Sequence, residues 1–123
     1  MQAQIQLVNA TTNHWTINIT DTTSKESFQI AVTYKSSQLS AEWIIERPTV
    51  NEDLSQLADF GNATFTNCTA TVGPTTGAIN YFQSSEIIMY SSPSSGNSPV
   101  QLTDVSNLTP DGEEFTVTYL ASV

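Results

Sequence analysis

Apolar and polar residues alternate through most of this chain. Ala3, Ile5 and Leu7 are interleaved with Gln2, Gln4 and Gln6. Trp15, Ile17 and Ile19 are interleaved with Thr16, Asn18 and Thr20, and Phe28, Ile30, Val32 and Tyr34 with Gln29, Ala31 and Thr33. Near the end Phe115, Val117 and Tyr119 are interleaved with Thr116 and Thr118. Successive side chains of a strand point to opposite faces, so a period of two predicts strands with one buried face. Asn62 to Val72 reads as one long Thr-rich strand, and Glu86 to Tyr90, more continuously apolar, as a central one. Turn-forming clusters separate them at 9–13, 21–24, 72–77, 91–99 and 109–113. The one helix-like stretch is NEDLSQLADF, where Asn51 would cap a turn carrying Leu54, Leu57 and Ala58. Short, turn-separated strands predict an all-β antiparallel sandwich or jelly roll. The expected core is Trp15, Phe28, Ile30, Trp43, Ile45, Phe65, Ile88, Phe115 and Val117.

The 123 residues suit one domain, with no internal repeat and no linker to divide it. Acids outnumber bases twelve to three, a formal charge of −9. Lys25, Lys35 and Arg47 cannot make a basic stripe, which argues against nucleic acid and anionic membranes as partners. The polar surface is instead hydroxyls and amides, which do not titrate in acid. Cys68 is the only cysteine and His14 the only histidine, so there is no intrachain disulfide and no cysteine-based metal site. No apolar run approaches the roughly 20 residues of a membrane span, and MQAQIQLV reads as a strand rather than a charged leader.

One segment stands apart. Ser40 to Thr49, SAEWIIERPT, sets Glu42 and Glu46 around Trp43, Ile44 and Ile45. Read as a strand, it turns Trp43 and Ile45 to one face and Glu42, Ile44 and Glu46 to the other. Four residues of strand separate the two carboxyl-bearing positions by roughly 13 Å at Cα. That is too far for a shared-proton pair or for the roughly 6.5–9.5 Å of an inverting glycosidase pair, so either acid would need a partner from elsewhere. The plain alternative is that Glu46 pairs with Arg47 and Glu42 is simply solvated. Asp59, before Phe60-Gly61, reads as a turn acid, Glu113 and Glu114 as a solvated hairpin end, and Cys68 as a buried, inert strand thiol. Asn9, Asn18, Asn62, Asn67 and Asn107 each open a formal glycosylation sequon.

SAEWIIERPT followed by LADFGNATFTNCTA resembles the glutamic peptidases, or eqolisins, which carry an A-E-W-I-x-E strand, a short link and a D-F-G-x-x-x-F-T-N strand. WTINITDTT with the following Phe28 and Tyr34, then IIMY and FTVTY, extend the likeness over nearly the whole chain. The resemblance implies a concanavalin-like jelly roll whose concave sheet binds peptide. It also implies peptide-bond hydrolysis at acid pH by a Glu and a Gln, and a secreted, extracellular protein. It assigns catalysis to Glu42 and places Ile44 and Glu46 at the substrate, with the role of Glu46 left open. An ordinary carboxyl group, with a pKa near ~4, can serve as general base on water in mild acid and then protonate the leaving amine. A neutral amide steadies the oxyanion without titrating. No cofactor or metal is implied. The family's catalytic Gln lies in an earlier, Trp- and Tyr-rich strand, and Gln29, Gln38, Gln56 and Gln83 do not sit in that motif. The chain is therefore expected to be the C-terminal portion of such a fold, incomplete and inactive alone. Its partner is expected to be a second chain carrying the N-terminal strands and the Gln, or a copy of itself. The competing functions are a non-catalytic binding or surface module on the same scaffold, which the upstream Gln segment would separate, and a glycosidase. The latter calls for closely spaced acids such as E-x-D-x-E, and none occurs.

Overall fold

The computed structural model describes residues 1–92 and 98–122 and divides them into two compact units, Met1–Ser40 and Ala41–Val123. The regular structure is all-β, in antiparallel sheets, with a single 3-10 turn at Ile79–Tyr81 and no α-helix among the described residues.

The first unit is a three-stranded meander of β1 (Gln2–Asn9), β2 (His14–Thr20) and β3 (Ser27–Thr33), in that spatial order. Its register realises the alternation of the sequence. Leu7, Trp15 and Val32 form one cross-strand row, Ile5, Ile17 and Ile30 the next, and Ala3, Ile19 and Phe28 the third. One face is therefore wholly apolar. The other carries rows such as Gln4, Asn18 and Gln29. Asn and Asp close the turns because their short side chains bond the backbone two or three residues on. Asn9 Oδ1 accepts the N–H groups of Thr11 and Thr12, at 2.9 and 3.1 Å, and Asn13 takes a φ of +52°. At the next corner Asp21 Oδ1 accepts the Thr23 N–H at 2.8 Å.

The second unit holds a sheet in the order β6 (Asn62–Phe65), β10 (Phe115–Tyr119), β9 (Thr103–Val105). Two hairpins accompany it: β4 (Thr49–Val50) with β5 (Asp53–Leu54), and β7 (Thr69–Val72) with β8 (Thr75–Ala78). Across β6 and β10, Phe65 and Phe115 stack with ring centroids 5.0 Å apart on one face. The Thr64 and Thr116 hydroxyls bond at 2.9 Å on the other. Such cross-strand pairs stabilise a sheet by about 0.2–1 kcal/mol each.

Several sequence expectations are corrected here. NEDLSQLADF starts no helix. Asn51 and Glu52 have φ of +52° and +71° and form the tight loop between β4 and β5. Two successive left-handed residues are what a right-twisted two-residue hairpin needs, and Asn tolerates that region; the helix-like spacing of Leu54, Leu57 and Ala58 was coincidental. The long strand from Asn62 is broken into β6 and β7 by Asn67, at φ +55°, so Cys68 sits between strands rather than within one. Residues 86–90 form no central strand. They touch the 100–103 segment through one bridge, Tyr90 to Gln101, and the Thr103 hydroxyl stands in for a ladder carbonyl by accepting the Met89 N–H at 3.1 Å. Of the turn expected at 91–99, residues 93–97 lie outside the described residues.

The core also differs. Val117 is buried, as expected, but the other buried residues among those described are Leu57, Cys68, Leu102, Thr103 and Gly112. Trp15, Trp43, Ile45, Phe65 and Phe115 are half-buried. Phe28, Ile30 and Ile88 are 58%, 43% and 37% exposed. Periodicity identifies which face of a strand is apolar; it does not supply the layer that covers it. Leu102 is fully buried, and its backbone is held on two sides, its N–H by the Met89 carbonyl and its carbonyl by the Leu120 N–H.

The 109–114 corner is a knot of short bonds. The Asp111 carboxylate accepts the Thr109 hydroxyl at 2.6 Å and the Glu113 N–H at 3.2 Å, and the Gly112 N–H donates to the Thr109 carbonyl. The Thr109 hydroxyl bond chiefly holds the Asp111 carboxyl below the ordinary 3.8, and the Thr23 N–H does the same for Asp21. A carboxyl depressed in the folded state contributes stability above its unfolded value and loses it as pH falls through the folded one. Both corners are therefore expected to weaken below the ordinary 3.8. Urea midpoints measured from roughly pH 5 to pH 2 should fall less steeply in Asp111→Asn than in the wild type. Identical slopes would show that the folded corner does not favour the ionised form.

Candidate active site

Residues 41–48 form no strand, contrary to the strand reading of AEWIIE, because no neighbouring segment completes a ladder with them among the described residues. The two-sided character of the segment is nevertheless present. Glu42, Ile44 and Glu46 are exposed, Ile44 to 38%, while Trp43, Ile45 and Arg47 between them are half-buried. The apolar anchors and the acids thus fall on alternate positions. A carboxylate held this way keeps its water while its neighbours in sequence fix the backbone under it.

Arg47 is the residue that sequence reasoning undervalued. Its Nε donates to the Ser55 carbonyl at 2.7 Å, and the Ser55 N–H donates to the Pro48 carbonyl at 3.0 Å. These bonds tie the end of the acidic segment to the strand pair β4 and β5. A guanidinium can anchor a backbone carbonyl while half-buried because it is charged at every working pH and carries five donors. The available signal was that Arg47 is the chain's only arginine and directly follows Glu46.

Asp59, Glu113 and Glu114 lie outside the regular strands. Asp59 Oδ1 accepts the Gly61 N–H at 3.0 Å, with Gly61 at φ +62°. Glu114 is exposed and Glu113 half-buried, its carbonyl accepting the Cys68 N–H at 2.9 Å. Cys68 is 2% exposed, and its thiol is pushed up first by burial and then by the negative charges of Glu113 and Glu114. A thiol so placed stays protonated and unreactive. Among the described residues no group of three or more His, Cys, Asp or Glu side chains is gathered to hold a metal ion, and no helix is long and apolar enough to cross a membrane.

Three comparisons bear on this arrangement. The model of a family described as the Peptidase A4 family matches residues 1–119. Among solved structures, the chain is similar to the aspergilloglutamic peptidase from Aspergillus niger, with a TM-score of 0.70 and 24% sequence identity. That match covers 97% of this chain but 65% of the other, so the chain spans less than two thirds of that protein's length. At this identity the likeness shows the fold, that of a β-sandwich peptidase. No curated protein sequence matches.

Proposed function

This chain belongs to the Peptidase A4 family, the glutamic peptidases, and on that premise we propose that it is the Glu-bearing part of an acid-acting, secreted glutamic endopeptidase. The observation that carries the reading is the alternation from Glu42 to Arg47, with the acids outward and Trp43 and Ile45 half-buried. Residues 1–123 form a portion of one glutamic-peptidase-like sandwich. Glu42 is the catalytic carboxylate. It takes a proton from a water as that water attacks the scissile carbonyl, then gives it to the departing amine. A glutamine amide, supplied from outside this chain by a second polypeptide, donates to the oxyanion as charge develops there. Ile44 and Glu46, outward on the same segment, contact the polypeptide substrate.

Reconstitution tests this directly. The 123-residue chain, the N-terminal polypeptide of its precursor and an equimolar mixture are assayed on a denatured protein at acid pH. Hydrolysis is expected only in the mixture. Activity of the chain alone would place the amide within these residues, and inactivity of all three would favour the binding-module alternative.

A further inference from the structure

We propose that the free edge of β1 pairs antiparallel with the same edge of a second copy of this chain, about a two-fold axis at Ile5, merging two three-stranded sheets into one of six strands. Among the described residues only β2 lies beside β1, so its outer N–H and C=O groups form an edge. At eight residues it is the longest strand present. Edges of this kind are normally blunted by charge, proline or an early bulge. Residues 2–9 contain no charged residue, no proline and no glycine, and the single irregularity, between Leu7 and Asn9, only closes the far end.

The choice of a copy as occupant comes from the pattern around Ile5. Gln4 and Gln6 flank it, and Ala3 and Leu7 flank them. From Ala3 to Leu7 the apolar–polar pattern is the same in both directions, which suits an isologous contact, and the next pair, Gln2 with Val8, is the first to depart from it. With Ile5 opposite Ile5 of the copy, Gln4 meets Gln6 and Ala3 meets Leu7. Amides then pair with amides on the polar face and apolar groups with apolar groups on the other, where Ile5 is 70% exposed. A slip by one residue would set Ile5 against an amide; a two-residue shift, to an axis at Gln4, keeps apolar with apolar but pairs only residues 2–6 of the strand, against 2–8 about Ile5. The opposite edge, β3, lacks this symmetry: around Ile30, Gln29 is matched by Ala31. The proposal concerns the first unit alone and stands whether or not Glu42 is catalytic.

The register makes opposite demands of two double variants. Gln4→Lys/Gln6→Lys places lysine against lysine twice across the axis, whereas Gln4→Lys/Gln6→Glu places lysine against glutamate twice. Within the monomer both positions face neutral partners, Asn18 and Thr16, so neither variant disturbs the meander. Sedimentation equilibrium of the 123-residue chain is expected to show a dimer that weakens about tenfold or more in the first variant and persists in the second. Ile5→Lys, facing itself on the axis, should also be monomeric, with far-UV spectra confirming that all variants keep their β structure. A wild-type chain still monomeric at roughly 100 μM, a Lys/Lys variant as dimeric as the wild type, or loss of the dimer in both double variants would each overturn the pairing. Occupation of the edge by a different co-purifying polypeptide would overturn it as well.

Discussion

Glu42→Gln is expected to remove peptidase activity from the complete assembly at every acid pH, with kcat/KM falling by about 10⁴ or more. General acid–base steps contribute about 10²–10⁴ each, and in the proposed reaction one carboxyl group performs both, first as base and then as acid. The amide keeps the size and hydrogen-bonding shape of the side chain but can neither take nor return a proton. Because Glu42 is exposed, the substitution should leave folding and assembly unchanged, so a normal denaturation profile should accompany the loss. Glu46→Gln is the matched comparison: a group that contacts substrate without moving the proton should raise KM more than it lowers kcat. The reverse outcome, full activity in Glu42→Gln and none in Glu46→Gln, would transfer the catalytic role to Glu46. Full activity in both would end the enzyme reading on this segment.

Gly112→Ala is expected to destabilise the second unit by roughly 1–2 kcal/mol, the cost of a left-handed backbone for a residue with a Cβ. Gly112 is buried at φ +77°, a conformation that costs any residue with a Cβ. A Cβ built there would meet only the end of the Asn80 side chain, which is exposed and can swing aside at little cost. The backbone cannot easily retreat, because the Gly112 carbonyl accepts the Ile79 N–H at 3.1 Å and its N–H is bonded to Thr109. Asn80→Ala in the same chain should therefore leave the loss almost unchanged, the two substitutions adding within about 0.5 kcal/mol in a double-mutant cycle. Equilibrium unfolding in urea measures both. A loss within about 0.5 kcal/mol, the range of ordinary surface changes, would mean that the corner relaxes freely.

The first unit was the most legible part of the chain. Its three strands are continuous runs of period two, and the register pairs Leu7, Trp15 and Val32 as that pattern requires. Asn13 and Gly112 likewise announce corners, since few other residues accept positive φ. The failures share a cause. Whether Asn51 caps a helix or turns a hairpin, and whether Asn67 continues a strand or ends one, depends on a few dihedral angles that tertiary partners decide. The same Asn chemistry suits both outcomes. Burial misled where a segment's fate lay with a distant neighbour: the backbone of the fully buried Leu102 is bonded to Met89 and Leu120, and nothing in VQLTDV points to either. For the site, two acids set around Trp43 marked the segment, the family resemblance rather than spacing gave Glu42 and Glu46 their expected roles, and the structure adds their exposure and the Arg47 anchor. The partner amide could not be read from either, because the proposal places it on another chain.

The solitary thiol has a further consequence. With one cysteine among these 123 residues, no crosslink within the chain can form on oxidation or break on reduction. At 2% exposure Cys68 meets small thiols or disulfides only when its surroundings open. The covalent framework is therefore the same in a reducing cytosol and an oxidising exterior. Transit between compartments leaves the stability of the chain untouched by redox poise, and the rate at which Cys68 is capped becomes a clock for the opening of the second unit.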